Sequence, residues 1–453
     1  MKVRRKKMKK YSIWMFGIVA LVLLMFLAPN VMAGYSNTTC IAGYYGDEYP
    51  YGYIPACHPE ISSLDQYVAI VFVHNTGNNA MVRLAYSTNY GQSFSYQYLN
   101  NNDQVKQDYP DVSIYKDTSD DNAVKTVIVW QERPDDESEE WEIKAREWSF
   151  RTNTWSTSVL SVSDTSYTEN DNDNIYPKVS TCSDDSESYW NIVWQRDWDG
   201  YTNRYGIYLR VYIRNSGGEG FNIISTLDYP QSWDDNFRHP ATDCIPNEDN
   251  EDIYVVYDEF HDEGTPQYII KIVYGNLDIA GNFDQIGTDN ICEAYDQDEI
   301  LGYPDIAVIG PTSGAGNTVD CVWINHTNDN EIVQYSRSTT GGSTFADPSQ
   351  ISSDGSMELR AVAIDMNESY DPIIPKTQYR CHIIWTTAYD VYYRERTGSD
   401  ASWNEFGSPQ DGATEEEYTE DFVDASTSEI SPGAIGVYAT WQVDGTAVFI
   451  GEA

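Results

Sequence analysis

The chain repeats one hydrophobic pattern: a short run of β-branched or small residues ending in an aromatic, set between polar stretches. The copies are Ile70-Val71-Phe72, Ile128-Val129-Trp130, Ile192-Val193-Trp194, Val255-Val256-Tyr257, Val322-Trp323, Ile383-Ile384-Trp385 and Ala439-Thr440-Trp441. Their aromatics lie 58, 64, 63, 66, 62 and 56 residues apart. Upstream of each copy is another short run. Five of these open with an aromatic or histidine before proline: His58-Pro59, Tyr109-Pro110, Tyr176-Pro177, His239-Pro240 and Tyr303-Pro304. Leu359-Arg360-Ala361-Val362 and Asp421-Phe422-Val423-Asp424 are weaker copies. Proline suits the start of a strand, where no ladder bond is lost. Downstream, alternating runs such as 81–86, 143–146, 207–212 and 269–274 predict a third strand, and runs such as 154–160 a fourth. Turn residues bound each run.

Four short strands in each of about seven units predict an all-β β-propeller, because a lone four-stranded unit cannot cover both of its faces and must stack on neighbours. Six blades with an N-terminal cap, or two stacked sandwiches, are the alternative arrangements. The last unit shows three strands before the chain ends, so a segment after Gly34 is expected to supply the missing outer strand. The expected division is 1–33 as a signal, 34–57 as the segment closing the ring and 58–453 as the propeller.

The first ten residues carry seven Lys or Arg, an apolar run follows, and Val31-Met32-Ala33 offers a small-residue cleavage pattern. This is an export signal; an uncleaved N-terminal anchor is the alternative. The expected location is therefore secreted or cell-surface. The chain has 71 acidic and 28 basic residues, a net charge of −43. That charge would repel nucleic acid and anionic membranes and favour cations. With 36 Tyr and 13 Trp the acidic surface covers a core rather than a disordered chain.

Of seven cysteines, Cys40 and Cys57 lie close together in a Tyr/Gly/Pro-rich stretch and are the expected disulfide; the odd count leaves one thiol over. Asn37-Thr38-Thr39, Asn325-His326-Thr327 and Asn367-Glu368-Ser369 are glycosylation sequons. Acid clusters at Asp117 to Asn122, Asp184-Asp185 and Glu248 to Asp252 fall in turns between first and second strands, and their hard oxygens would suit Ca²⁺.

In such a ring, the residues just after each repeated aromatic share one face with the loops entering the first strands. Gln131, Arg133, Gln195, Arg196, His261 and His326 are the candidate ligand-binding residues there, with Glu132, Asp197, Asp258 and Glu259 as candidate catalytic carboxylates. Asp108, Asp111, Asp305 and the aromatics Tyr109, Tyr176 and Tyr303 join them from the entering side. Carboxylates with aromatic platforms are what a sugar site needs, and paired carboxylates are what glycoside hydrolysis needs.

The turns Ser87-Thr88-Asn89-Tyr90-Gly91-Gln92-Ser93-Phe94 and Ser338-Thr339-Thr340-Gly341-Gly342-Ser343-Thr344-Phe345 resemble the Asp-box of sialidase-like (BNR-repeat) β-propellers, with Asn89 and Thr340 at the aspartate position. In that family the box is a structural turn remote from the active site. The family's sialidases bind the substrate carboxylate with three arginines, and use a Tyr/Glu nucleophile pair and an acidic proton donor. Tyr53-Ile54-Pro55 stands nearest to their Arg-Ile-Pro and lacks the arginine. The expectation is therefore a secreted binding or adhesion protein that recognises a glycan or an extracellular surface protein. A glycoside hydrolase or lyase on the same scaffold, and a structural cell-envelope protein, are the rival readings.

Overall fold

A computed structural model describes the strands between residues 37 and 452; residues 1–36, 43–55, 406–419 and shorter loop segments lie outside the described residues. The structure is an all-β β-propeller. Seven sheets form among the described residues, each antiparallel and each built mainly from consecutive strands. The first strands of the sheets are Ala56–Leu64, Val105–Asp117, Asn174–Ser183, Asp235–Ile245, Glu299–Ile309, Leu359–Asp371 and Glu420–Ser431. Each contacts the first strand of the next sheet, and the seventh contacts the first, so these innermost strands ring a central axis. The outermost strand of the last sheet is Asn37–Ala42, paired antiparallel with Ala447–Glu452. N- and C-terminal segments thus meet in one sheet.

The repeated aromatics occupy one place in the fold. Phe72, Trp130, Trp194, Tyr257 and Trp323 each sit on the second strand opposite a two-residue bulge in the innermost strand. The bulge is the His-Pro or Tyr-Pro pair. The proline has no N–H to lose, and the extra residue leaves room for the large ring across the ladder. Trp385 and Trp441 hold the corresponding second-strand place in the last two sheets, where the irregularity is a single residue, Arg360 or Phe422. Phe72, Trp130, Trp194, Tyr257 and Trp323 are fully buried. Hydrophobic clusters lie between consecutive sheets, such as Val71, Leu84, Val112, Ile128 and Trp130 between the first and second.

The innermost strands are joined by carboxylates. Asp111 accepts the Val179 N–H (2.5 Å), Asp243 that of Val308 (2.7 Å) and Asp305 that of Ile364 (2.9 Å). Asp365 accepts from Thr427 (2.5 Å) and Asp424 from Ile61 (2.7 Å). In each case the acceptor belongs to one sheet and the donor to the next. In four of the five, the second carboxylate oxygen accepts the N–H of the following residue in its own strand. Where the residue that pairs with the one before the repeated aromatic is alanine, Ala241 or Ala363, the aspartate comes two residues later, on the same side of the strand. Between the first and second sheets Ser62 Oγ takes the same part, accepting from Ile114 N (3.0 Å). Lys178 replaces the aspartate in the third sheet and pairs with Glu60 (2.5 Å) and Asp111 (3.9 Å).

The expected Cys40–Cys57 disulfide is not formed. Cys57 carries a free thiol, as do Cys182, Cys244, Cys292, Cys321 and Cys381; the Cys40 side chain lies outside the described residues. The backbone explains this: Cys40 is on an outermost strand, facing Phe449, while Cys57 is on an innermost one, facing Val73. Three strand spacings of about 4.8 Å separate those places in a sheet, well beyond the roughly 7 Å a bridge can span.

Burial pushes Asp243, Asp305 and Asp365 up to about 7 and Asp111 to about 6, and raises Asp424 and Glu60 as well. Burial alone would lower Lys178, but Glu60, Asp111 and Asp424 push it up. Acids with raised values bind more protons folded than unfolded, so their stabilising effect is complete below about pH 4 and lost as pH rises through about 7. The melting temperature should therefore fall from pH 5 to pH 8; a flat or rising profile, read by circular dichroism, contradicts the axial acids. Asp305→Ala, which strands the Ile364 N–H, should cost about 1–3 kcal/mol, whereas Asp305→Asn keeps an acceptor and should flatten the pH slope.

Candidate functional site

The five bulges turn a run of rings to one mouth of the central ring. His58, Tyr109, Tyr176, His239 and Tyr303 are the residues before proline, and all five have positive φ, between 43° and 55°. A residue before proline is normally held extended, and a non-glycine at positive φ costs about 1–3 kcal/mol. Five such residues in register mark a place where the backbone is held against its preference.

The rings touch in sequence. His58 stacks on Tyr109 with centroids 4.1 Å apart, Tyr109 meets Tyr176 edge-on at 4.3 Å, Tyr176 lies 6.1 Å from His239, and His239 stacks on Tyr303 at 4.3 Å. The hydroxyl of Tyr176 donates to that of Tyr109 (3.4 Å). The five rings form an arc across five consecutive sheets. Tyr303 is 49% exposed, and the others are partly open. Carboxylates fix the histidines: His58 Nδ1 lies 2.7 Å from Asp108 and His239 Nδ1 2.6 Å from Asp258. A carboxylate at Nδ1 makes that nitrogen the donor, which on a neutral His239 turns Nε2 into an acceptor.

The structure gives the expected residues separate places around this mouth. Gln131 and Gln195 are 3% and 1% exposed. Their side-chain oxygens accept the backbone N–H of Tyr176 and His239, both at 3.0 Å, across the junction to the next sheet. They hold the arc rather than face outward. Asp258 is fully buried and joins Arg238 (3.1 Å) to His239. Glu259 contacts His261 Nε2 (2.8 Å) and Lys271 (3.4 Å), and His261 Nδ1 reaches Asp235 (2.5 Å). Burial pushes Glu259 up against the pull of Lys271 and His261. Asp258 and Glu259 are consecutive on a strand, so they point to opposite faces and cannot flank one bond together.

Glu132 accepts from Gln107 (2.8 Å) and from Trp130 Nε1 (3.1 Å). Arg133 lies over Trp141 at 4.6 Å and Arg196 over Tyr208 at 5.6 Å. The Asp197 N–H donates to the Asp173 carbonyl (2.9 Å). His326 pairs with Glu331 (2.7 Å). No two of the four candidate carboxylates share a partner in these contacts. His58 and His239 were not among the residues expected at the site, yet both hold the same place before proline as the three tyrosines.

Other expectations change. Asp117, offered above as an oxygen ligand for Ca²⁺, is buried between Lys125 (2.6 Å) and Arg214 (3.1 Å), and Lys125 also reaches Asp120 (3.1 Å). An ammonium group stands where the cation would be. Residues 185 and 248–250 of the other acid clusters lie outside the described residues, as do Tyr53-Ile54-Pro55. Asn325 is 2% exposed and donates to Glu299 (2.6 Å), so its sequon is closed to glycosylation in the folded chain. In the two turns that carry the resemblance, Ser87 Oγ accepts from Gly91 N (3.0 Å) and Ser338 Oγ from Gly342 N (3.0 Å). Asn89 Oδ1 and Thr340 Oγ1 accept from Ser93 N and Thr344 N (both 3.1 Å), the acceptor role an aspartate would fill.

No family model and no curated protein matches the sequence. Solved structures do. The GH93 α-L-arabinofuranosidase of Fusarium graminearum, in complex with arabinobiose, aligns with a TM-score of 0.50 at 11% identity, over 92% of this chain and 98% of that one. A Hadza microbial sialidase aligns at 0.46 and 9% identity, over 86% and 74%. The sialidase of Trypanosoma rangeli aligns at 0.42 and 9%, over 93% and 58%. The chain therefore spans about three-fifths of the trypanosomal enzyme. At these identities the likeness is one of fold alone, the β-propeller.

Gln195→Ala should leave the His239 N–H buried without an acceptor and cost about 1–3 kcal/mol of stability. Thermal melting checks this: a Gln195→Ala protein as stable as the parent would return Gln195 to the ligand-facing residues.

Proposed function

We propose that this sialidase-like β-propeller is an extracellular glycan-binding protein whose site is the arc of His58, Tyr109, Tyr176, His239 and Tyr303. The observation that carries the reading is the strained backbone repeated at all five ring-bearing positions. A scaffold that holds five unfavourable conformations in register does so for what they present, here a curved aromatic surface with histidine nitrogens and carboxylates at its edge. Sugar rings offer apolar faces to such platforms and hydroxyls to such edges. Ligands on rigid scaffolds of this kind commonly sit where loops and strand ends converge.

The acids beneath the arc narrow the ligand class. Glu60, Asp111, Asp243, Asp305, Asp365 and Asp424 line the axis against Lys178, a balance that disfavours a carboxylated sugar and favours a neutral or amino-bearing one. The export pattern of residues 1–33 carries the proposal of an extracellular location. Among the described residues, no helix is long and apolar enough to cross a membrane.

One observation favours turnover: Glu259 is held with a raised proton affinity beside a histidine and a lysine, as a proton donor would be. Two measurements separate the readings. Tyr109→Ala and Tyr303→Ala, assayed on a panel of neutral, amino and acidic glycans, should each weaken binding about 2- to 12-fold, the loss of one aromatic contact of roughly 0.5–1.5 kcal/mol. Both proteins should stay folded. Unchanged binding by both removes the arc from consideration. Release of sugar from bound glycan, abolished by Glu259→Gln, would establish the hydrolase in place of the binding protein.

A further inference from the structure

A second cluster lies at the opposite end of the innermost strands, about six residues or roughly 20 Å of strand from the arc. Cys182 and Cys244 stand one residue before the ends of the first strands of the third and fourth sheets. Both are buried, and Glu251, just ahead of the next strand, is 2% exposed. One donor atom from each of the three lies within 4.8 Å of the other two. The Cys182 thiol donates to Glu251 Oε1, and Asn191 Nδ2 donates to the same oxygen at 2.7 Å. Glu251 Oε2 is buried without a hydrogen-bond partner. No Lys, Arg or His pairs with Glu251 among the described residues. A buried carboxylate with an unmet oxygen and no counter-charge is expensive.

We propose that Cys182, Cys244 and Glu251 bind a thiophilic divalent cation of the Zn²⁺ class. Two sulfurs and one carboxylate oxygen are donors Zn²⁺ takes in tetrahedral sites, leaving a fourth position for water. Ca²⁺ and Mg²⁺, which demand oxygen donors, do not fit. The ion supplies the missing positive charge and gives Glu251 Oε2 a partner. Binding expels the two thiol protons, one from each sulfur, so affinity rises with pH. The position has a structural sense. The junction of the third and fourth sheets is where Lys178 replaces the clasping aspartate, leaving the long Ser180–Thr242 hydroxyl contact of 3.4 Å. A metal shared by Cys182 and Cys244 would tie that junction.

The test uses the full mature chain, reduced with a phosphine and freed of metal. Titration with Co²⁺ as a spectroscopic stand-in should give a thiolate-to-cobalt charge-transfer band saturating at one equivalent, with release of about two protons, and Zn²⁺ should displace the cobalt with no further proton release. Zn²⁺ should also raise the melting temperature. Cys182→Ser and Cys244→Ser should each lose the band, Asn191→Ala should weaken binding about 10- to 100-fold as the loss of an orienting contact, and Cys381→Ser should change nothing. If the serine variants fail to fold, Zn²⁺ should instead protect Cys182 and Cys244 from iodoacetamide under conditions that alkylate them in the metal-free chain. Absence of the band in the parent protein, an unchanged band in folded Cys182→Ser and Cys244→Ser, failure of protection, or a Cys182–Cys244 disulfide in the protein as isolated would each overturn the assignment. None of these readouts involves the glycan site.

Discussion

Everything in this molecule depends on the hydrogen bond that crosses from one innermost strand to the next. A four-stranded sheet in a ring has its edge at the axis, where unpaired N–H groups would otherwise point at one another across a narrow space. Here aspartates close most of those junctions, four of the five giving one oxygen to their own strand and one to the neighbour. The arrangement concentrates carboxyl groups where they cannot all be ionised. Burial answers this by raising their proton affinity, and Lys178 by pairing with Glu60 and Asp111. The acidic composition is thus partly a consequence of how the ring is sealed, and the same groups bind the fold to acidic conditions.

The clasp also fixes what lies above it. Because Asp111 and Asp305 follow the bulge immediately, sealing the ring there sets the height and direction of the residue before proline. Gln131 and Gln195 then catch the freed N–H of the next bulge. The positive φ before proline is supported from different sides: Tyr109 and Tyr303 by the aspartate clasp that follows them, Tyr176 and His239 by the glutamine acceptor across the junction. The aromatic arc follows from this geometry, with His58 and His239 turned into it by Asp108 and Asp258.

The architecture was largely legible in the sequence because it is periodic. Phe72, Trp130, Trp194 and their fellows recur at near-equal intervals, and the structure places all of them on second strands, five of them opposite a bulge in the first strand. The strand-opening His-Pro and Tyr-Pro pairs were legible as strand signals. Their left-handed backbone was not, since it results from contacts between sheets that no local pattern carries. For the same reason Gln131 and Gln195 read as ligand-facing polar groups: their partners, Tyr176 and His239, are 45 and 44 residues away and in another sheet. The Cys40–Cys57 pairing failed because closeness in sequence says nothing of radial position, and the two residues belong to opposite edges of adjoining sheets. Asp117 and its neighbours read as cation ligands because Arg214, which arrives from the next sheet, cannot be seen locally.

The account's central claim is that a clasped ring of innermost strands presents its bulged aromatics as one ligand surface. Hydrogen–deuterium exchange of the full protein, with and without a neutral or amino-bearing oligosaccharide that binds it, tests this most directly. The account predicts slowed exchange in the peptides holding His58, Tyr109, Tyr176, His239 and Tyr303 together, with the turns at the opposite end unchanged. Slowing confined to those opposite turns, around Asp121 and Asp184, or to a single sheet, would contradict it.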